Sequence, residues 1–177
     1  MKLLILDRDG VINRDSDQYI KGPDEWQPLA GSLEAIARLT QAGYRIVVAT
    51  NQSGIGRGLF DMATLNAIHN KMHKAVNQLG GRVEAVFYCP DTDTAKSSCR
   101  KPNPGMFQAI AERFNTSLLN VPAVGDSLRD LQAAATVGAK SLLVLTGKGK
   151  KTQTAGGLPA GTQTFADLAA VARALNA

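Results

Sequence analysis

Asp7-Arg8-Asp9-Gly10-Val11 is the stretch of sequence that decides the fold, because it directly follows the apolar run Leu3-Leu4-Ile5-Leu6. Such a run is typical of a buried strand, and two carboxylates at its end are costly unless a cation or hydrogen-bond donors compensate them. Open parallel sheets carry their chemistry at the carboxyl ends of strands, where a metal ion would hold both carboxylates ionised. Taken alone, the pentapeptide also fits a solvated turn, since Asp and Gly are common in turns.

The composition indicates one ordinary domain spanning residues 1–177. Hydrophobic residues make up 44% of the chain but aromatic residues only 5%, so small aliphatic side chains must fill the core, as in sheets flanked by helices. The net charge of +5 fits simple solubility, or attraction for anions such as phosphorylated metabolites or nucleic acid.

Neither a membrane span nor a signal peptide is expected. Asp7 stops the first apolar run, and no run approaches the roughly 18–20 residues that a membrane span needs. The two cysteines, Cys89 and Cys99, do not make a disulfide framework, which favours a reducing cytoplasm.

Apolar runs alternate with helical patterns along the chain, which predicts a parallel sheet wrapped by helices on both faces through right-handed crossovers. The predicted strands are Lys2–Leu6, Arg45–Ala49, Ala85–Tyr88, Ala123–Gly125 and Ser141–Leu145. The predicted helices are Ser32–Gln41, Met62–Leu79, Pro104–Phe114, Leu128–Val137 and Phe165–Leu175. The Gly-, Thr- and Lys-rich stretch Lys148–Gly161 is expected to be a surface loop.

Three further segments lie at predicted strand ends or in the loops that leave them. Thr50–Gly58 offers a hydroxyl and glycines that let backbone amides approach an anion, although an ordinary Gly-rich loop has the same pattern. Arg100 and Lys101 could bind two anionic groups, or could be solvated surface charges. Asp126 again ends a strand and Asp130 lies one helical turn on, with an N-cap and a solvated helix residue as the alternatives.

In this order, the four segments resemble the four signature motifs of the haloacid dehalogenase-like phosphohydrolases. The resemblance implies that Asp7 attacks phosphorus and forms an aspartyl-phosphate. It implies that Asp9 protonates the leaving alcohol and then deprotonates the hydrolytic water. It also implies Mg²⁺, held by the carboxylates of Asp7 and Asp126 and by the main-chain carbonyl of Asp9.

The same resemblance implies that Thr50 and Lys101 hold the phosphoryl oxygens, and that Asp130 orients Lys101 or metal-bound water. Many such proteins carry a cap domain inserted after the first or second motif, and neither gap here has room for a large one. The resemblance therefore implies a capless, Rossmann-like member whose selectivity comes from its loops.

Within that superfamily, four stretches closely resemble the D-glycero-D-manno-heptose 1,7-bisphosphate 7-phosphatases, which serve heptose synthesis for bacterial lipopolysaccharide. The stretches are Asp7–Gly10, Thr50–Gly58, Tyr88–Pro90 and Cys99–Met106. By this resemblance, Arg100 recognises the distal part of the sugar or its second phosphate. The other substrate-binding residues that it implies are Asp15, Ser16, Asp17, Gln18, Thr50, Asn51, Gln52, Ser53, Lys101 and Ser127.

One departure from the family pattern concerns its zinc loop. The positions at which the family often has four Cys or His ligands hold Cys89, Asp91, Ser97 and Cys99. Because a tetrahedral structural zinc site normally uses four Cys or His ligands, we expect no structural zinc. His69 and His73 have the i, i+4 spacing of a metal-binding pair, but two histidines on an amphipathic helix are more often solvated.

We expect a monomer that acts on a small phosphorylated sugar. Three alternatives to this function stay open. Histidinol phosphatases share the Asp-Arg-Asp-Gly start, and polynucleotide 3′-phosphatases share a similar Asn-Gln-x-Gly-Ile-x-Arg-Gly segment. We expect no nucleic-acid partner, because aromatic residues are not interleaved with the basic ones. A non-catalytic anion-binding module is disfavoured by the presence of both carboxylates, Asp7 and Asp9.

Overall fold

Six parallel strands form one sheet in the computed structural model, which describes residues 1–177 throughout. The strands, numbered β1 to β6 in chain order, are Lys2–Leu6, Tyr44–Asn51, Val83–Cys89, Pro122–Gly125, Lys140–Val144 and Gln163–Phe165. The helices, numbered α1 to α7, are Ser32–Gln41, Ser53–Gly56, Met62–Gln78, Gly105–Phe114, Leu128–Thr136, Gly149–Ala155 and Leu168–Ala174, and a short 3₁₀ helix spans Pro23–Glu25. The order across the sheet is β3-β2-β1-β4-β5-β6.

The predicted α/β architecture with a parallel sheet is confirmed, and every predicted strand and helix is present with ends shifted by a few residues. The largest shift is at the last helix, which was expected from Phe165 and begins at Leu168. Phe165 instead ends the edge strand β6, and the Asp167 side chain caps α7 by accepting a hydrogen bond from the Ala170 amide at 2.8 Å.

The prediction of a loop over Lys148–Gly161 is wrong in its first half, which forms helix α6. The sequence of α6 has no apolar periodicity that would mark a helix. Its position is fixed by tertiary contacts instead, since the Thr152 hydroxyl donates to the Asp126 carbonyl at 2.7 Å.

The two cysteines are also arranged differently from the expectation. Cys89, the last residue of β3, and Cys99 are joined in a disulfide with their Cα atoms 5.7 Å apart. The loop between them returns to the end of the strand, and the Ser97 hydroxyl accepts a hydrogen bond from the Arg100 amide at 3.0 Å. The path of this loop brings the two sulfurs together, a pairing that the sequence pattern did not predict.

The core is divided by the sheet into two layers. Alternate strand residues such as Leu4 and Val48 pack with α1, α3 and α7 in a cluster of 21 buried residues. Their neighbours Ile5 and Val47 face the other way and pack with α4 and α5 in a cluster of 13. Helices on both faces leave the carboxyl edge of the sheet as the place where loops can build a site.

No helix combines the length and the apolar character that a membrane crossing requires.

A matched pair of substitutions tests this assignment of the core. Leu39 on α1 is fully buried, whereas Leu119 lies in a loop and is 66% exposed. Leu39→Ala should lower the free energy of unfolding by about 2–5 kcal/mol, because it opens a cavity in a packed interior. Leu119→Ala should change it by less than about 0.5 kcal/mol. Urea unfolding measures both, and equal losses would contradict the assignment.

Candidate active site

The central strands bring three carboxylates, those of Asp7, Asp126 and Asp130, close to the ammonium group of one lysine. β1 lies between β2 and β4 in the sheet, so Asp7 after β1 lies beside the ends of both neighbours. The order in which consecutive strands are added to the sheet reverses at β1, because β2 and β3 lie on one side of it and β4 to β6 on the other. Such a switch point, at the carboxyl ends of the strands, is where open α/β sheets bind ligands.

The ammonium group of Lys101 is the centre of this arrangement. Its Nζ lies 3.1 Å from Asp7 Oδ1, 2.7 Å from Asp130 Oδ1 and 2.7 Å from the carbonyl oxygen of Ala49. The side chain is 3% exposed, so all three donors are used inside the protein. Pairing with Asp130 and Asp7 outweighs the effect of burial and raises the pKa of Lys101 above its ordinary value.

Lys101 is carried by the loop after β3 and is fixed there through its backbone. The Asn51 side chain accepts a hydrogen bond from the Lys101 amide at 3.0 Å and donates one to the Lys101 carbonyl at 3.2 Å. Asn51 is the last residue of β2. The Asn51 side chain therefore fixes the backbone of Lys101 relative to the end of β2.

Asp130 orients Lys101 and also caps helix α5. One carboxylate oxygen binds Lys101, and the other accepts hydrogen bonds from the Asp126 amide at 3.2 Å, the Ser127 amide at 3.1 Å and the Ser127 hydroxyl at 3.0 Å. Burial would raise the pKa of Asp130, but the Lys101 charge and these donors hold it below its usual range. Both carboxylate oxygens of Asp130 are therefore engaged by donors of the protein.

Two glycine-containing turns of the backbone pack closely against the Asp126 carboxylate. Its Oδ2 accepts a hydrogen bond from the Lys148 amide at 2.8 Å. A Cβ atom at Gly10 or at Gly147 would collide with this carboxylate, and both glycines have positive φ angles of 83° and 55°. The close approach of the backbone thus requires glycine at both positions.

The protein alone places too little positive charge near the carboxylates of Asp7 and Asp126 to neutralise them. Burial and the neighbouring charge of Asp130 raise the pKa of Asp7 to about 7, with Lys101 opposing them. Burial, Asp130 and Asp7 raise the pKa of Asp126 to about 8. One lysine among two buried carboxylates and one half-buried carboxylate leaves negative charge that a cation is needed to neutralise.

The same residues fit a hard divalent cation. Carboxylate oxygens of Asp7, Asp126 and Asp130 lie within 4.8 Å of one another, and the first two are the ones with raised pKa values. The main-chain carbonyl of Asp9 accepts no hydrogen bond within the protein. Carboxylate and carbonyl oxygens are the ligands that Mg²⁺ prefers.

Asp9 is held in a different environment from Asp7. Its Oδ1 accepts hydrogen bonds from Arg8 Nε at 3.0 Å, Arg8 Nη2 at 2.8 Å and Asn13 Nδ2 at 2.9 Å, whereas Oδ2 accepts one from Gln52 Nε2 at 3.2 Å. Burial would raise its pKa, but the Arg8 charge and these donors hold the pKa of Asp9 below its usual range. Oδ2 is the oxygen with the spare proton-accepting capacity.

A cleft of about 310 Å³ opens over these groups, and only two of the 19 residues that line it are hydrophobic. The sequence-predicted residues that line it are Asp7, Asp9, Asp15, Ser16, Asp17, Asn51, Gln52, Ser53, Arg100, Lys101, Asp126, Ser127 and Asp130. Gln18 and Thr50 do not line it. Thr50 is buried, with its hydroxyl accepting a hydrogen bond from Gln52 Nε2 at 2.9 Å.

Several charged residues of the cleft were not singled out from the sequence. Arg57 and Arg129 line it beside Arg100, and the charge of Arg129 adds to burial in lowering the pKa of Arg100. Arg57 lies within the Thr50–Gly58 segment and Arg129 directly precedes Asp130, so their position was the available signal. Lys148 also lines the cleft and pairs with Asp15 at 3.5 Å, although the stretch that it begins was expected to be a surface loop.

Two other expectations need correction or stay open. His69 is buried on α3 rather than solvated, because α3 packs it against the buried side chain of Arg8, with Nε2 3.0 Å from Arg8 Nη1. His73 is half-buried. The sulfur of Cys99 lies 3.6 Å from Asp91 Oδ2, and the absence of a structural zinc stays a prediction.

Two family descriptions match the sequence. The family described as polynucleotide kinase 3 phosphatase matches residues 2–132, and the family described as HAD-hydrolase-like matches residues 98–171. The first covers the β1 motif through the start of α5, and the second covers Lys101 to the last helix. Together they span the whole of the geometry described above.

Curated relatives match almost the entire chain. A D-glycero-beta-D-manno-heptose-1,7-bisphosphate 7-phosphatase from Bordetella bronchiseptica is 62% identical over 99% of this chain and 98% of its own length. Proteins of the same name from Neisseria meningitidis and Pseudomonas putida are 56% and 54% identical, covering 93% and 99% of this chain and 89% and 99% of their own lengths.

Solved structures agree with these matches. The crystal structure of the D,D-heptose 1,7-bisphosphate phosphatase from B. bronchiseptica, complexed with magnesium and phosphate, superposes with a TM-score of 0.98 at 62% identity, covering 99% of this chain and 98% of that one. The corresponding protein from Burkholderia thailandensis gives a TM-score of 0.81 at 57% identity, covering 100% and 99%.

The raised pKa values of Asp7 and Asp126 predict a pH-dependent stability of the metal-free protein. Between the unfolded pKa of about 3.9 and the folded values of about 7 and about 8, the folded state binds more protons than the unfolded state. Stability should therefore fall as the pH rises through this window. Mg²⁺ needs both carboxylates ionised, so its stabilising effect should grow over the same window.

Thermal unfolding with EDTA and with Mg²⁺, at several pH values from about 5 to about 8, measures this effect. Asp126→Asn should flatten the metal-free pH dependence and reduce the Mg²⁺-induced shift in Tm. A Mg²⁺-induced shift that stays constant across the pH range would contradict the assignment.

Proposed function

The chain belongs to the haloacid dehalogenase-like phosphatases, in the family of the D-glycero-beta-D-manno-heptose-1,7-bisphosphate 7-phosphatases, and we propose that it removes the 7-phosphate from this sugar bisphosphate. It is a phosphoric monoester hydrolase. The observation that carries the proposal is the cluster of Asp7, Asp126 and Lys101, whose charges match a metal ion and a phosphate dianion together.

Asp7 is proposed as the nucleophile. Its Oδ1 is held by Lys101 Nζ at 3.1 Å and by the Arg8 amide at 2.8 Å, so the carboxylate is fixed at the floor of the cleft. Attack by a carboxylate oxygen on phosphorus forms an aspartyl-phosphate and releases the sugar alcohol. The negative charge of the phosphoryl group then lies against the ammonium group of Lys101.

Asp9 is proposed as the general acid and then the general base. Three donors hold Oδ1, which leaves Oδ2 to carry the proton toward the leaving oxygen. Arg8 keeps the pKa of Asp9 low in the free protein, and an approaching phosphate dianion opposes that effect because like charges favour protonation. After the alcohol leaves, the ionised Asp9 can take a proton from the hydrolytic water.

Mg²⁺ is proposed as the cofactor, held by the carboxylates of Asp7 and Asp126 and by the main-chain carbonyl of Asp9. When bound, it neutralises the carboxylates and polarises the phosphoryl oxygens. Lys101 and Thr50 are proposed to hold the other phosphoryl oxygens. The Thr50 hydroxyl donates to the Asn51 carbonyl over a long 3.4 Å, so its proton is weakly engaged. A structural zinc at Cys89, Asp91, Ser97 and Cys99 is not part of the proposal.

Substrate selectivity is proposed to reside in the loops, in a single capless domain of residues 1–177. Arg100 lines the cleft beside Lys101 and is proposed to bind the second phosphate. The remaining residues proposed to bind substrate are Asp15, Ser16, Asp17, Gln18, Asn51, Gln52, Ser53 and Ser127. The setting that we propose is a cytoplasmic monomer acting on heptose precursors of lipopolysaccharide.

A polynucleotide 3′-phosphatase is the second candidate, because a family of that description matches residues 2–132. The 62% identity to a heptose bisphosphate phosphatase over 99% of this chain favours the sugar bisphosphate instead. A substrate panel separates the candidates. Heptose 1,7-bisphosphate should be hydrolysed with the highest kcat/KM, ahead of histidinol phosphate and 3′-phosphorylated DNA.

Asp7→Asn should abolish phosphate release while leaving the fold intact, because Asn has nearly the same shape but is a poor nucleophile. Phosphate release in the presence of Mg²⁺ measures this, with circular dichroism as the test of folding. Asp24→Asn, at an exposed position in the short 3₁₀ helix, is the matched control and should keep full activity. Turnover of Asp7→Asn within about tenfold of wild type would refute the covalent mechanism.

Arg100→Ala should reduce kcat/KM for heptose 1,7-bisphosphate by roughly 10–100-fold, because a charge-assisted hydrogen bond is worth about 1.5–3 kcal/mol. The loss on p-nitrophenyl phosphate, which has no second phosphate, should be much smaller. Arg113→Ala, on the exposed side of α4, is the control. Equal losses on both substrates would mean that Arg100 serves the reacting phosphate or the fold.

A further inference from the structure

Arg8 occupies an unusual position for a charged side chain, because it is fully buried directly behind the catalytic edge of the sheet. Its Nε and Nη2 atoms both donate to Asp9 Oδ1. A buried guanidinium is costly unless its remaining donors are also paired. The partner of Nη1 is His69 Nε2, at 3.0 Å.

His69 is a neutral acceptor at this contact. Arg8 can only donate, so His69 Nε2 must present its lone pair and the ring proton must lie on Nδ1. Burial and the nearby charges of Arg8 and His73 lower the pKa of His69 to about 3. The imidazole is therefore uncharged over the whole range in which the enzyme would work.

We propose, resting on the phosphatase function proposed above, that His69 is a positioning residue for proton transfer by Asp9 and acts through Arg8. The chain of contacts runs from His69 on α3 to Arg8 Nη1, and from the opposite edge of the same guanidinium to Asp9 Oδ1. A planar guanidinium that is fixed at Nη1 keeps its Nε–Nη2 edge turned to Asp9.

The consequence for the reaction lies in which oxygen of Asp9 carries the proton. With Oδ1 held by Arg8 and Asn13, the proton sits on Oδ2, beside the weaker contact from Gln52. As the bond from Asp7 to phosphorus forms and the bond from phosphorus to the leaving oxygen breaks, this proton passes to the leaving oxygen. Without the His69 acceptor, the Nη1 donor of Arg8 would be left unpaired and the guanidinium could rotate. The Asp9 carboxylate, which this guanidinium holds, would then lose its fixed orientation.

A general acid matters most when the leaving group is a poor one. An alkoxide from a sugar needs its proton during the first step, whereas p-nitrophenolate leaves well without one. A positioning role therefore predicts a loss that depends on the leaving group. A residue that only stabilises the fold would reduce the rates for all substrates alike.

Four substitutions separate these roles. His69→Leu removes the acceptor, and His69→Ala removes it with a smaller side chain in case the leucine variant does not fold. His69→Gln keeps an acceptor oxygen at about the distance of Nε2 and should restore the contact. His73→Gln, one turn along the same helix, is the matched control because His73 makes no hydrogen bond to Arg8.

The measurement is the single-turnover rate of the first step with heptose 1,7-bisphosphate, glycerol phosphate and p-nitrophenyl phosphate, in Mg²⁺ and below the Tm of each variant. His69→Leu and His69→Ala should lose about tenfold or more on the two alkyl phosphates, since positioned proton transfer supplies roughly 10²–10⁴-fold. Their loss on the aryl phosphate should be less than about threefold, and His69→Gln and His73→Gln should stay close to wild type on all three.

Equal losses on alkyl and aryl substrates, or no loss at all, would overturn the inference. Failure of the wild type on heptose bisphosphate but not on glycerol phosphate would overturn the proposed substrate, and the variants would still test His69 on the second compound. Failure of the wild type on all three would overturn both the proposed function and the inference.

Discussion

The ammonium group of Lys101, enclosed by two carboxylates and a backbone carbonyl, is the interaction on which the site depends. Without this cation, Asp7, Asp126 and Asp130 would be three buried or half-buried carboxylates with mutual repulsion and no compensation. With it, the cluster still carries excess negative charge, which a divalent cation can neutralise. The charge balance of the site is therefore incomplete in the protein alone.

Several residues serve the fold and the chemistry with the same atoms. Asp130 begins α5 by accepting hydrogen bonds from the Asp126 and Ser127 amides, and its other oxygen fixes Lys101. Asn51 ends β2 and anchors the Lys101 backbone. Because one carboxylate or amide does both jobs, substitution at these positions would lower stability and activity together, and the two effects must be measured separately.

The sequence predicts much of this arrangement because its signals are local. Buried strands read as apolar runs, and the carboxylates that follow β1 and β4 lie where parallel sheets place their ligands. Helix α6 and strand β6 are short and polar, so only tertiary contacts such as Thr152 with Asp126 reveal them.

The contact between Arg8 and His69, behind the cleft, has no local signal in the sequence. Arg8 sits between two aspartates in what could be a solvated turn, and His69 lies 61 positions away on a helix with ordinary patterning. Their contact arises from the way α3 packs over the end of β1. In the same way, the pairing of Cys89 with Cys99 follows from the path of a loop whose closure the sequence pattern does not encode.

The polar character of the cleft has a consequence for inhibitor chemistry. Because only two of the 19 residues that line it are hydrophobic, the cleft offers little apolar surface to a neutral, apolar molecule. A compound that binds here must supply anionic groups of its own to meet the arginines that line the cleft. Such a compound has a large desolvation penalty on entering a lipid bilayer, so tight binding and passive passage across a membrane oppose each other at this site.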